Sequence, residues 1–165
     1  KDFGIPQNRP RIFCVGIRKD LNQQYPKIVP NTIYNVRIYD SIPEKDMFLA
    51  TNHKFNTMQG KSKRNYIQFD RSGKGYNSVS DRVYNKKSIL PCLRAGGYNL
   101  PYIYDIIPSS ISYQIRKLSI KEKLRLQGFP DTFNTPCSYT QTSKQLGNSM
   151  TVKVVEEVLK RLLCP

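Results

Sequence analysis

The sequence holds a single histidine, His53, and four cysteines, Cys14, Cys92, Cys137 and Cys164, far apart and with no Cys-x-x-Cys pair. A structural zinc site needs clustered Cys and His ligands, so this pattern argues against a metal centre. Isolated cysteines in a chain without an export signal read as reduced thiols, which implies a cytoplasmic protein. No apolar run approaches the ~20 residues that a membrane helix needs. The chain opens Lys1-Asp-Phe-Gly-Ile-Pro6, without methionine or a signal-peptide pattern. That start reads as a cut inside a larger protein or a tag scar. Acidic residues are also scarce. Only 12 Asp and Glu stand against 27 Lys and Arg in 165 residues, a net charge of +15. A chain this basic offers a favourable field to a polyanion, most often nucleic acid. Eleven tyrosines are interleaved with the charge and supply stacking faces and hydroxyl donors to phosphate.

The length suits one domain or slightly more, and three zones can be separated. Residues 11–18, Arg-Ile-Phe-Cys-Val-Gly-Ile-Arg, form a short apolar run preceded by Pro10 and ended by charge. Such a run predicts a strand buried on both faces, as in the parallel sheet of an α/β domain. Residues 19–115 carry Pro, Gly, Asn, Ser and Asp every few positions between short apolar pieces, such as Tyr66–Phe69, Arg82–Tyr84 and Tyr102–Tyr104. This predicts short strands and long loops, with turns at 71–75 and 95–98. Residues 33–39 suit a strand or a short helix equally. Residues 116–165 turn helical. Ser119-Ile-Lys-Glu122 is a capping box, and the helix it starts should run to about Gln127, where Gly128 and Pro130 end it. A last helix should begin after Asn148-Ser149, both good N-caps, with Val152, Val155, Leu159 and Leu162 on one face, joined by Val158.

Three stretches carry a family resemblance in order and spacing. Asp2-Phe-Gly-Ile-Pro-Gln-Asn-Arg-Pro-Arg-Ile-Phe13 resembles the Gln-x-Arg-x-Arg motif, the eighth, of cytosine-5 methyltransferases. Residues 116–131, from Arg116 through Leu126-Gln-Gly-Phe-Pro-Asp131, are similar to that family's ninth motif. Gln141-Thr-Ser-Lys-Gln-Leu-Gly-Asn-Ser-Met-Thr-Val152 is similar to its tenth. Between the first and second lie Ser72-Gly-Lys-Gly75, Asp81-Arg-Val-Tyr84 and Cys92-Leu-Arg-Ala-Gly-Gly97. These resemble the target-recognition region of bacterial restriction–modification methylases. The family usually has Thr-Leu-x-Ala at the last of them, so a thiol, Cys92, stands where a phosphate-contacting hydroxyl is usual.

The resemblance implies a partial class I S-adenosylmethionine-dependent α/β methyltransferase with a small strand-rich α+β target-recognition domain. Residues 1–18 would give the C-terminal strand region of the catalytic domain, 19–115 the recognition domain, and 116–165 two helices returning to the catalytic domain. The family moves a methyl group from S-adenosylmethionine to carbon 5 of a cytosine flipped out of duplex DNA. Its Pro-Cys nucleophile, Glu-Asn-Val acid and Phe-x-Gly-x-Gly cofactor loop all precede the eighth motif. The chain would therefore be inactive alone and need that catalytic part, in the same protein or as a separate subunit. Pro91-Cys92 and Pro136-Cys137 lie downstream and neither is followed by Gln, so they are not read as nucleophiles.

Arg9 and Arg11 are two apart on an extended segment, so their side chains share a side. By resemblance they reach the active cleft. Arg11 would bond the flipped cytosine, while Arg9 and Gln7 would order that pocket or contact DNA. Asn148 and Ser149, at an expected helix start, would edge the S-adenosylmethionine pocket. Arg82, Tyr84, Cys92, Arg94, Gly96 and Gly97 are candidates for DNA contact. Lys121, Lys123 and Arg125 are expected on a solvated helix face. The last helix should pack against residues 11–17; with most of the parallel sheet missing, Ile12, Val15, Ile17 and the Val/Leu face of that helix should be exposed and invite self-association. Two other readings stand beside this one: a stand-alone DNA-binding module, and part of a tRNA methyltransferase of the same family.

Overall fold

The computed structural model describes residues 3–25, 27, 60–62, 66–69, 82–85, 88–96, 101–106 and 113–163. The segment 33–39, the 71–75 turn, Gly97 and Cys164 lie outside the described residues.

Three apolar pieces bounded by turn residues are strands as expected: β3 (Tyr66–Phe69), β4 (Arg82–Asn85) and β6 (Tyr102–Ile106). With β2 (Gly60–Ser62) and β7 (Tyr113–Lys117) they form a sheet of order β2-β3-β4-β6-β7. All its neighbours are antiparallel except β4 and β6. A parallel pair needs a long crossover. Here the crossover contains β5 (Leu90–Pro91), which pairs in parallel with β1 (Gln7–Asn8) near the start of the chain. The crossover thus joins the first segment of the chain to the sheet.

Side chains alternate between the faces of a strand, and the register aligns them across the sheet. Tyr66, Tyr84, Ile103 and Arg116 share one face; Ile67, Val83, Tyr102 and Lys117 share the other. The first face enters the main core with Leu90, Leu93, Leu118, Leu124, Leu126 and Leu146, while Ile67, Val83 and Tyr102 form a second cluster. Both faces are therefore apolar. Tyr84 is only 7% exposed, its ring 5.5 Å from that of Tyr66. Its expected DNA contact is corrected: the sheet is packed on both faces, so Tyr84 is buried in the core.

Helix α1 (Ile120–Gln127) starts and stops as its sequence dictates. Ser119 and Glu122 close the capping box, and Gly128, at φ +81°, ends it. Glu122 also forms a buried bidentate pair with Arg116, at 2.7 and 2.8 Å. It takes a third bond from the Ser119 N–H. Removing one partner of such a pair leaves an uncompensated buried charge. The expected solvated face holds only at Lys121. Lys123 is 2% exposed, and Arg125 lies half-buried and pairs with Asp131. The reason for Lys123 is a second helix, α2 (Tyr139–Asn148), which packs across α1. Lys123 donates to the Tyr139 hydroxyl at 2.9 Å and to Ser143 Oγ at 2.7 Å. The Tyr139 hydroxyl in turn donates to the Leu118 carbonyl.

Helix α2 lies where no helix was expected, although Ser138-Tyr-Thr-Gln141 is a second capping box. Asn148 is its last residue and Ser149 its C-cap. The last helix, α3 (Val152–Leu163), begins only after Thr151. The expected helix start at Asn148-Ser149 is thus corrected to a helix end. Gly147 lets the crossover loop sit against α2. A Cβ there would come within 2.4 Å of the Ala95 nitrogen and 2.6 Å of the Arg94 carbonyl carbon. Residues 11–18 do not form the expected strand. Ile12 is 94% exposed, and Phe13, Val15 and Ile17 are half-buried. A strand exists only through a hydrogen-bonded neighbour, and among the described residues none pairs with the chain between Asn8 and η1, a 3-10 turn at Lys19–Leu21. The mixed sheets and flanking helices fit an α/β class.

Two predictions follow from this packing. Burial pushes the Lys123 ammonium down to about 8 from 10.5, with Lys117 adding to the shift, and pushes the Tyr139 hydroxyl up to about 12. A lowered lysine value means that the unfolded chain holds more protons between pH 8 and 10.5, so stability rises with pH in that window. Tyr139 opposes it only above pH 10. Urea unfolding should therefore show a gain of about 2 kcal/mol from pH 7.5 to 9.5, lost in Lys123→Met. An equal gain in that variant would refute the assignment. Gly147→Ala should cost about 1–3 kcal/mol from overpacking against backbone. Gly96→Ala, where no described atom beyond the chain neighbours lies within 4 Å of the added carbon, should stay within about 0.5 kcal/mol.

Candidate functional site

The site is built from the chain's first described segment. Gly4 turns at φ +74°. Ile5 and Gln7 then enter the interior at 2% and 1% exposure. The Pro6 carbonyl accepts from the Leu90 N–H at 2.8 Å, and the Gln7 amide donates to the Leu126 carbonyl, at the end of α1, at 3.2 Å. This placement suits Gln7 to ordering the segment. A DNA contact would require it to leave the core.

Anchored there, the chain carries Arg9 into a gap between the crossover loop and the end of α2. One terminal nitrogen, Nη1, donates to Cys92 Sγ and to the Leu93 carbonyl, both at 2.9 Å. The other, Nη2, donates to the Gly147 carbonyl at 2.8 Å and the Ser149 carbonyl at 2.5 Å. A guanidinium is suited to this, because its donors lie in a fixed planar fork. The carbonyl end of a helix also carries partial negative charge that favours a cation. Burial pushes the Arg9 guanidinium below its ordinary value, Cys92 raises it and Arg11 lowers it again. It nevertheless stays protonated at any working pH. Arg9 Nε is buried without a hydrogen-bond partner among the described residues.

Arg11 follows on the same side of the chain, its Nη2 3.5 Å from the same Cys92 sulfur and its Nη1 bonded to the Pro10 carbonyl. Unlike Arg9 it is exposed. Both arginines line a cavity of about 320 Å³ whose apolar wall includes Phe3, Ile5 and Phe13 from the first segment and Val154 and Val158 from α3. The last helix thus faces residues 3–13 across this cavity, which meets the expected 11–17 segment at Arg11 and Phe13.

The expected site residues divide accordingly. Arg9, Arg11, Cys92 and Ser149 meet at one junction. Asn148 is exposed beside it. Arg94 and Gly96 are exposed on the crossover loop. Arg82, half-buried on β4, lies over the Tyr66 ring at 4.9 Å. The dipole argument for an anion at Asn148 is reversed, since that residue ends a helix. Cys92 uses its sulfur on the two arginines and the Leu93 carbonyl. Sequence reasoning missed Gly147, Gln127 and Thr151. Gln127 donates to the Leu146 carbonyl at 2.6 Å and accepts from Thr151 at 3.3 Å. A glycine inside a helix costs about 1 kcal/mol, so Gly147 would have signalled a close approach once α2 was recognised.

Among the described residues no helix is long and apolar enough to cross a membrane, and no group of His, Cys, Asp and Glu could hold a metal ion. Residues 1–164 match the family model described as C-5 cytosine-specific DNA methylase. Type II methyltransferase M.HaeII of Haemophilus aegyptius is 30% identical over 95% of this chain and 46% of its own length. Type II methyltransferase M.NgoBI of Neisseria gonorrhoeae is 32% identical, with 96% and 47% covered. Type II methyltransferase M.HpaII of Haemophilus parainfluenzae is 32% identical, with 99% and 48% covered. The chain spans about half the length of these relatives. With the family match running over nearly every residue, the chain belongs to the C-5 cytosine-specific DNA methylases.

Proposed function

We propose that this chain is the part of a bacterial, cytoplasmic DNA cytosine-5 methyltransferase that finds the target base and edges the cofactor pocket, and that it transfers no methyl group alone. The junction at Arg9 carries the reading. It draws the eighth-motif segment, the Cys92–Gly96 loop and the tenth-motif turn together, with Arg11 at the mouth of the adjoining cavity. Residues 1–18 would belong to a class I catalytic body, residues 19–115 to a small target-recognition domain, and residues 116–165 would brace that domain and return to the body. The sheet itself runs on to Lys117.

Duplex DNA would meet Arg82, Arg94 and Gly96, where a guanidinium can bond guanine or phosphate and a glycine admits close backbone approach. Arg11, exposed at the cavity, would donate to the flipped cytosine as charge develops on the ring. Arg9, already bonded to four acceptors, would hold the pocket's wall. S-adenosylmethionine supplies the methyl group when bound. The residues present fit it in kind: the exposed Asn148 amide both donates and accepts, the nearby cavity wall is apolar, and a helix carbonyl end favours a cationic ligand. The nucleophile and ring acid would come from the catalytic part that carries Pro-Cys and Glu-Asn-Val.

A labelled-methyl assay of the chain alone on mixed duplex DNA should show no incorporation, and adding a polypeptide with those two motifs should restore it. Arg11→Ala should then lower the restored rate by about 10²–10³. Arg94→Ala should reduce the salt dependence of duplex binding by about one charge if it contacts phosphate. Incorporation by the chain alone would overturn the division of labour. Preference for tRNA over duplex DNA would overturn the substrate.

A further inference from the structure

Resting on that reading, we propose that Arg9 is a positioning residue that couples the two sides of the site: it locks the Cys92–Gly96 recognition loop to the Gly147–Thr151 turn, so that DNA contact at the loop is felt at the cofactor edge. Arg9 makes this connection through the two arms of one planar group. Every acceptor of Nη1 lies on the loop, at Cys92 and Leu93, and every acceptor of Nη2 lies at the end of α2, at Gly147 and Ser149. Neither segment can shift relative to the other without breaking bonds on one arm. A lysine ammonium, a single point donor, could not span both.

A second contact makes the lock stiff. The loop backbone at Arg94–Ala95 lies against Gly147 so closely that a methyl group would overlap it. The Leu93 side chain on one side of this contact is 3% exposed and fixed in the main core. Arg94 beside it is exposed and free to meet a phosphate or base. Force on Arg94 therefore falls on backbone that touches Gly147 directly. On the far side, Thr151 Oγ1 bonds Gln127 and Ser149 Oγ bonds the Leu146 carbonyl. The turn is thus tied to helix ends, with the exposed Asn148 between them.

Hydrogen exchange of this chain, with and without a mixed-sequence DNA duplex at low salt, tests the coupling. In the unaltered chain the duplex should slow exchange both at residues 92–96 and at 147–151, the second by roughly fivefold or more. In Arg9→Met the duplex should still slow residues 92–96 but leave 147–151 unchanged. Gly147→Ala should weaken the same transmission from the other side. Arg9→Lys, which keeps stem and charge but loses the fork, should behave as Arg9→Met and serves if that variant loses protection in α1 as well. Transmission intact in Arg9→Lys, or a response confined to 92–96 in the unaltered chain, would overturn the proposal. If the duplex slows neither segment, the recognition reading falls, and the DNA-free data then judge the lock. Arg9→Met must speed exchange at both segments by a common factor, and unequal factors would overturn it.

Discussion

Every α-helix leaves its last carbonyls without partners inside the helix. In this chain, side chains from distant segments complete the ends of α1 and α2. Gln7 donates to Leu126, Gln127 to Leu146, and Arg9 to Gly147 and Ser149. The bonds of Gln7 and Arg9 tie the first segment of the sequence to helix ends more than a hundred residues away, and that of Gln127 ties α1 to α2. They also fix where Arg11 and the crossover loop stand. Apolar contacts such as those of the Leu and Tyr side chains in the main core set no direction of their own, and so leave room for small slides of one element over another. Bonds with fixed donor and acceptor directions do not, and a charge-assisted bond contributes about 1.5–3 kcal/mol. The geometry of the site therefore depends more on these carbonyls than on the leucines beneath them.

The two buried charge arrangements near α1 play different parts. Arg116 and Glu122 satisfy each other with two hydrogen bonds, and the carboxylate takes a third from the Ser119 amide. The same glutamate thus caps the helix and anchors it to β7. Among the described residues no carboxylate pairs with the Lys123 nitrogen. It rests on two hydroxyl groups and the face of the Tyr139 ring, 4.3 Å from its centroid. Neutral partners compensate a buried ammonium less well than a carboxylate does. Among the described residues, the α1–α2 contact accordingly holds a buried charge whose contribution changes as pH rises through about 8.

Much of the frame was legible in the sequence because its signals are local. Turn residues bounded β3, β4 and β6. Ser119, Glu122 and Gly128 bounded α1. The errors arose where a neighbour decides. Residues 11–18 have strand composition, but a strand is a pairing, and composition does not supply the partner. Lys123 reads as solvated on a lone amphipathic helix and is buried because α1 is covered on two sides. The end of α2 carries no glycine terminator, since Arg9 and Gln127 do that work from elsewhere. Without a stop signal, Asn148-Ser149 looks like the start of the next helix. Tyr84 and Val83 point to opposite faces, yet both are buried, because the sheet is apolar on both sides.

Arg9 and Arg11 show how far periodicity alone carries a functional assignment. Their spacing puts them on one side of an extended segment, and both reach the Cys92 sulfur, at 2.9 and 3.5 Å. From there their surroundings diverge. Arg9 lies where the crossover loop and the end of α2 converge, so four acceptors surround it, and its charge is absorbed by backbone and thiol. Two residues on, the chain has passed that convergence, and Arg11 stands exposed at the cavity, held among the described residues by the Pro10 carbonyl and the distant edge of Cys92. A guanidinium bonded to several carbonyls is costly to withdraw for a ligand; one held by a single neighbouring carbonyl is not. The same residue type two positions apart is thus structural in one place and available in the other, and the difference comes from elements folded more than eighty residues away.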